Sequence, residues 1–410
     1  MSWLHNPAHT RWLERESDEL LAFASAAMVD KGFAHLDRTG NVDETRPVEL
    51  WITCRMIHSF ALGVMLGRPG ASTMVDHGLA ALGEHFHDAE HSGWYSAVGA
   101  EPAQIKEAYA HAFVILAGAS ATAAGRPGGE DLLTAALEVS ERHFWDEDEG
   151  LVMESWDQTF TTAEEYRGVN ANMHTVEAYL AAADVTGSDV WLDRALRIST
   201  RVIDGFAREH QWRVPEHFDA AWNPILDYNA ETPADPFRPA GATVGHWLEW
   251  SRLLLSLRAG LQARGRSVPD WMMPAARQLF HAAIDEGWGV DGTEGFIYTV
   301  DFDGAPLVRE RMHWVVTEAI GAAAALHRAE PDPQVARWYE TWWEHAAVYL
   351  IDEEEGSWFH ELGPDNEPSD TVWPGKPDIY HALQATLIPR LPLTPSIAPA
   401  LARGLLDSVE

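Results

Sequence analysis

Two segments of this chain set an imidazole and a carboxylate three residues apart near the start of an apolar helical pattern. They are "NANMHTVEAYLAAADV", with His174 and Glu177, and "GHWLEWSRLLLSL", with His246 and Glu249. Residues three apart share one face of a helix. A histidine titrates near neutral pH and can take or give a proton, while a carboxylate one turn away favours imidazolium and fixes the ring. Such pairs suit proton transfer at a weakly acidic position of a substrate. They suit metal ligation less well. The di-iron helical motif runs Glu-x-x-His and needs further inward glutamates, and the zinc-protease form His-Glu-x-x-His does not occur in the sequence. His85 and His87 in "EHFHDAEH" adjoin an acidic turn, which predicts a solvated rim. No metal ligand set is therefore expected.

Four further polar or aromatic residues stand alone among apolar neighbours: Arg55 in "WITCRMIHSF", Tyr109 in "IKEAYAHAF", Trp314 in "HWVVTEAIGA" and His381 in "DIYHALQATLIP". With His174 and His246 they recur at intervals of 54 to 72 residues along the chain. A guanidinium on an apolar helix is costly unless paired, so Arg55 requires a carboxylate such as Glu318 or a ligand oxygen. Trp373 lies in the Pro/Gly stretch "TVWPGKP" just before His381. An indole face packs well against the C–H face of a pyranose, and asparagine and carboxylate groups bind hydroxyls. Most of the 19 tryptophans are expected in ordinary core and hairpin packing.

The elements that must carry these residues repeat. "ELWITCRMIHSFALGVML", "IKEAYAHAFVILAGASATAA", "HTVEAYLAAADV", "HWLEWSRLLLSLRAGL", "HWVVTEAIGAAAALHRA" and "IYHALQATLIPRL" all show apolar residues at three and four, the helix period. Between them returns an acidic turn leading into an alternating aromatic run, as in "WDEDEGLVMESWD" and "DEEEGSWFHELG". That pattern predicts a short hairpin. Its anchors (Gly32, Gly93, Gly150, Asn223, Gly295 and Gly356) are 57 to 73 residues apart. This period gives room for two helices and a hairpin, repeated six times without a linker long enough to divide the chain. The expected fold is all-α, an (α/α)6 barrel of six helical hairpins with short β-hairpins at one end, forming one catalytic domain over residues 1–410. An open helical solenoid is the other solution, but its shorter repeats carry no recurrent aromatic hairpin. In a closed ring the inner helices share an axis, so one residue per repeat can converge at one mouth.

Composition sets outer limits. At 410 residues the chain exceeds the roughly 250–300 at which one compact core stops growing, which also favours repetition. With 29 Lys and Arg against 63 Asp and Glu, the net charge of −34 repels nucleic acid and anionic membranes. Neither partner is expected. The single cysteine, Cys54, allows no intrachain disulfide and no thiolate cluster. "MSWLHNPAHTRWLERESDELL" contains no apolar run of signal-peptide length, and a cytoplasmic location is expected.

Taken in order, "ELWITCRMIHSF", "NANMHTVEA", "GHWLEWSRLL", "HWVVTEAIGA" and "KPDIYHALQATLIP" resemble the N-acylglucosamine 2-epimerase superfamily, in its mannose isomerase and sulfoquinovose isomerase branch, over nearly the whole chain. The resemblance implies an (α/α)6 barrel that interconverts monosaccharides by proton transfer at C1 and C2, with no cofactor and no metal. It implies that His246 and His381 are the general acid/base pair on a cis-enediolate, and that Arg55 faces O1 and O2. It implies that His174 and Glu249 hold the sugar or orient the catalytic ring. Tyr109, Asn172, Trp314, Glu318 and Trp373 become sugar-contacting or supporting positions. The implied reaction is aldose–ketose isomerisation of D-mannose, with D-lyxose as a second substrate. A 2-epimerase or a sulfoquinovose isomerase is the alternative within the family. A glycoside hydrolase on the same toroid would need two carboxylates about 6.5–9.5 Å apart for inversion. Glu249 and Glu318 could serve, but the histidines would then be unexplained. A non-catalytic scaffold would leave an inward set of titratable groups without a purpose. The number of subunits is left open.

Overall fold

Hydropathy sorts the helices into two kinds, and that division builds a ring. The computed structural model describes residues 2–99 and 105–408. Its helices are α1 (Pro7–Ala24), α2 (Leu50–Met65), α3 (Ala71–Ala81), α4 (Ala108–Ala123), α5 (Gly129–Val139) and α6 (Val169–Thr186). They continue with α7 (Asp189–Ser199), α8 (Val244–Ala263), α9 (Met272–Gly287), α10 (His313–Ala329), α11 (Pro333–His345), α12 (Tyr380–Leu387) and α13 (Ile397–Ala402). The even-numbered helices are apolar almost all round and buried along most of their length. A helix without a polar face must be enclosed by protein. Each even helix packs on the next, and α12 returns to α2, so the six close on themselves. The odd helices α3, α5, α7, α9 and α11 bury one stripe and pack outside α2, α4, α6, α8 and α10 in turn. The outer partner of α12 comes from the other end of the chain: it is α1. The expected toroid of six hairpins is formed, and its last hairpin joins the two ends of the sequence.

Short strands hold the upper rim. Each of five inner helices is entered through two or three extended residues that pair antiparallel with a strand of the following repeat. Val48–Glu49 meets Ala97–Val98, and Ile105–Glu107 meets Ser155–Asp157. Arg167–Gly168 meets His217–Phe218, Ala242–Thr243 meets Thr299–Val300, and Arg311–Met312 meets Glu361–Leu362. The sixth seam is closed differently, by the Lys376 N–H on the Leu36 carbonyl (2.8 Å) and by the Arg38–Asp370 ion pair. These staples fix the starts of the inner helices relative to one another. At the other end α13 packs against α2, α4 and α6 and covers the barrel. No helix among the described residues is long and apolar enough to cross a membrane.

One predicted anchor is corrected. Asn223 does not belong with the five glycines. The segment 217–223 is a different turn, in which the Asp219 carboxylate accepts the N–H groups of Ala221 and Asn223. Asp37, Asp157 and Asp301 make the same turn in other repeats. Both turn types begin with an acidic residue, and only pairing with the neighbouring repeat separates them.

Candidate active site

The rim staples set the first turns of the inner helices around a cavity that opens to solvent. All six once-per-repeat residues line it: Arg55, Tyr109, His174, His246, Trp314 and His381. Glu249 and Trp373 line it as well. Tyr109, His246, Trp314 and His381 sit in the first turn of their inner helices, and Arg55 and His174 begin the second turn of theirs.

The two central histidines are held alike. His246 Nδ1 lies 2.9 Å from Glu216 Oε1, and His381 Nδ1 lies 2.9 Å from Glu318 Oε1. A carboxylate accepts, so each ring donates its Nδ1–H and turns Nε2 away from the carboxylate. Trp314 lies beside both rings, with centroids 5.2 Å from His246 and 5.8 Å from His381. Gly245 is required here: a Cβ at this position would come within 2.3 Å of the Trp314 ring. Burial, followed by the charge of Arg55, drives the His381 pKa well below its ordinary value. That imidazole is neutral at neutral pH and can act as a base.

The expected helix-face pairings are corrected in two places. Glu249 does not hold His246, the residue one turn before it. Glu216 does, reaching in from the segment before the His217–Phe218 strand. Glu318 does not pair Arg55. It bridges His381 and Arg252, whose Nε is 2.8 Å from its second oxygen. Arg55 instead donates to Asp378 (3.1 Å) and to the Tyr109 hydroxyl (3.0 Å). Its guanidinium also packs on the rings of Trp51, Phe113 and Tyr380 at 4.5–5.0 Å. Glu318 is buried and does not line the cavity, so it is a supporting residue.

Asn172 is also corrected. It is wholly buried, and its amide is used up by the backbone of Val152 (2.8 and 3.1 Å) and Gly168 (2.9 Å). It braces the α6 entrance, and Asn170, two residues earlier, is the asparagine that reaches the cavity. Helical periodicity carried the signal, since Asn170 lies four residues before His174 and shares its face, whereas Asn172 lies only two before it.

Below the histidines lies a layer of charge. His174 Nδ1 is 3.9 Å from Glu177 and 3.8 Å from Glu249, and the ligand atoms of all three lie within 4.8 Å of one another. Such a trio could hold a cation. Arg252 already supplies positive charge there, 3.6 Å from Glu249. Burial lowers the His174 pKa to about 4. Burial and the neighbouring Glu318 push the Glu249 carboxyl well up, against the pull of Arg252, whose closer contact is Glu318. Glu177 is also buried, yet His174, Arg252 and the Tyr380 hydroxyl hold it below the usual carboxylate range.

Two groups of lining residues, and the side chains that brace the rim, were not anticipated. His313 and His360 stack with centroids 3.8 Å apart and both reach the cavity. Pro236, Phe237 and Pro239 roof it, with Phe237 against Trp51, Tyr109 and Trp373. Arg238 secures that roof through 2.8 and 3.0 Å bonds to Glu164. Glu361 positions the Trp373 loop by accepting the N–H groups of Thr371, Val372 and Trp373. The "HW" that opens α10 was a readable signal for His313. The roof, in a loop without periodicity, had none.

The family model for N-acylglucosamine 2-epimerase (GlcNAc 2-epimerase) matches residues 32–385. A D-mannose isomerase of Thermobifida fusca is 51% identical over 405 residues, 98% of each chain. A D-mannose isomerase of Pseudomonas cannabina pv. alisalensis is 49% identical over 402 residues, 98% of this chain and 97% of that one. A D-mannose isomerase crystal structure superimposes with a TM-score of 0.85 at 28% identity, covering 93% of this chain and 98% of the other.

Proposed function

The chain belongs to the N-acylglucosamine 2-epimerase family, and from that premise we propose how it acts: as an aldose–ketose isomerase that converts D-mannose to D-fructose. The relatives at about half identity over the full chain support the isomerase over the epimerase reading. One observation carries the mechanism: two histidines, each with Nδ1 tied to a carboxylate, line one cavity together with a buried guanidinium.

In this reading the pyranose opens in the cavity, with Trp314 and Trp373 beside the sugar and His174 and Glu249 toward its hydroxyls. His381, neutral through burial, removes the C2 proton. The oxygen that becomes anionic is met by Arg55 and Tyr109, whose positions are fixed in advance by Asp378 and by each other. The C2 proton returned to C1 of the cis-enediolate, with His246 moving the hydroxyl proton from O2 to O1, gives the ketose. Glu216 and Glu318 steady the imidazolium that forms on either ring. The whole chain works as one catalytic domain, in the cytoplasm, and its charge of −34 is indifferent to a neutral sugar.

The test is proton NMR of the purified protein with D-mannose in D2O. Fructose is the expected product, with no glucose. Glucose labelled at C2 would make the chain a 2-epimerase, and unchanged mannose would overturn the sugar.

A further inference from the structure

The spacing that opens α8 does not stop at His246 and Glu249. Arg252 follows three residues later, so one face of the helix carries an imidazole, a carboxylate and a guanidinium in successive turns. Arg252 is 5% exposed and lines no part of the upper cavity, and a charge so placed needs a partner. Gly321 of α10 leaves room for its stem: a Cβ there would stand 3.2 Å from Arg252 Cδ. Glu318, one turn earlier on α10, receives the head group, Nε to Oε2 at 2.8 Å, while Nη2 stands 3.6 Å from Glu249.

The two histidine–carboxylate pairs are therefore unlike. Both oxygens of Glu318 are taken, one by His381 and the other by Arg252. Glu216 gives Oε1 to His246, and its buried Oε2 has no hydrogen-bond partner. Among the described residues its only ion-pair partner is that histidine. A carboxylate that shares its charge with a guanidinium draws a proton onto the facing imidazole less strongly than one that does not. A ring that takes a proton from one carbon and returns it to the next must not retain it, which suits His381. A ring that carries protons between hydroxyls is served by the undivided charge of Glu216.

We propose that Arg252 is a positioning residue of the isomerisation: it fixes Glu318 on His381 and offsets that carboxylate's charge, which makes His381 rather than His246 the ring that exchanges protons with the sugar carbons. This role rests on the isomerase reading of the upper cavity. The other charged or titratable groups that face His381 are Arg55 of α2, His174 of α6, His313 of α10, and Asp378 and Tyr380 beside it. α1, which also packs on α12, turns its buried Glu16 to Trp358 instead, and Arg390 in the turn after α12 pairs with Asp407.

NMR titration of isotope-labelled histidine rings in the full chain tests the role without turnover, with His246 and His381 assigned by substitution to Asn. Arg252→Gln should raise the His381 midpoint by about one pH unit and leave that of His246 in place, and Arg252→Lys, which keeps the charge, should restore it. A base whose pKa is raised is protonated sooner as pH falls, so the acid limb of kcat/KM should move upward with it. On that limb the change is a loss of about tenfold. If Arg252→Gln does not fold, Arg252→Lys decides alone. Lacking the planar fork, it should lose about tenfold in kcat at unchanged KM, with the limb in its wild-type place. An unmoved His381 midpoint, an equal movement of His246, or wild-type kcat in Arg252→Lys would each overturn the proposal. Mannose left unchanged by the wild type would overturn the isomerase reading instead, and the ring titrations would still report what Arg252 does to His381.

Discussion

At the scale of residues, what distinguishes His246 and His381 from the other buried histidines is a carboxylate hydrogen-bonded to Nδ1 at 2.9 Å. The carboxylates near His174 Nδ1 stand off at 3.8 and 3.9 Å, and Nδ1 of His313 and of His111 faces a backbone carbonyl. A carboxylate stabilises the imidazolium that appears during proton transfer, and a carbonyl does so less. His381→Asn should fold, since its amide can still donate to Glu318, and should lose about 10²–10⁴-fold in kcat. Near-wild-type turnover in that variant would remove His381 from the chemistry. The histidines themselves were legible as lone polar residues on apolar helices. Their partners were not: Glu216 lies 30 residues before its histidine and Glu318 lies 63 before the other. Spacing along one helix offered Glu249, a nearer carboxylate on the wrong side of the ring.

At the scale of elements, the inner helices are precise because their entrances are tied down. Lys106, Arg311 and Lys376 stand just before α4, α10 and α12, and each pairs with an aspartate of the preceding hairpin: Asp88 (2.8 Å), Asp291 (2.8 Å) and Asp352 (2.6 Å). Lys376 is 1% exposed and also donates to the Gly356 carbonyl. Removing one partner of a buried pair leaves a charge without compensation, at a cost of about 3–5 kcal/mol. Lys376→Ala should therefore lower the urea midpoint by that free energy. A loss below about 1 kcal/mol would mean that Asp352 finds water instead. The helices were legible from their period of three and four. This ladder of ion pairs was not, because its members are separated by hairpins whose turns look alike in sequence.

At the scale of the whole molecule, closing the ring takes many titratable groups out of water together. Burial holds His58, His111, His174 and His313 near a pKa of about 4 on three different inner helices and at the start of α10. The unfolded chain binds these protons near pH 6.5 and the folded chain only near 4, so stability falls as pH drops through that window. Glu154, raised to about 7 by burial, has the opposite sign, but the imidazoles outnumber it. The melting temperature should drop steadily from pH 6.5 to 4 by circular dichroism. A constant value would mean that the rings are hydrated in the folded state. The sequence by itself determined the repeat, the two kinds of helix and the one-per-repeat residues that face the axis, because helical period and burial are local properties of the chain. It also carried the family, through motifs in a fixed order. The tertiary structure alone decided which carboxylate meets which histidine, and that α1 rather than a seventh helix completes the ring with α12. These depend on distances between segments tens to hundreds of residues apart, and no local pattern encodes such distances.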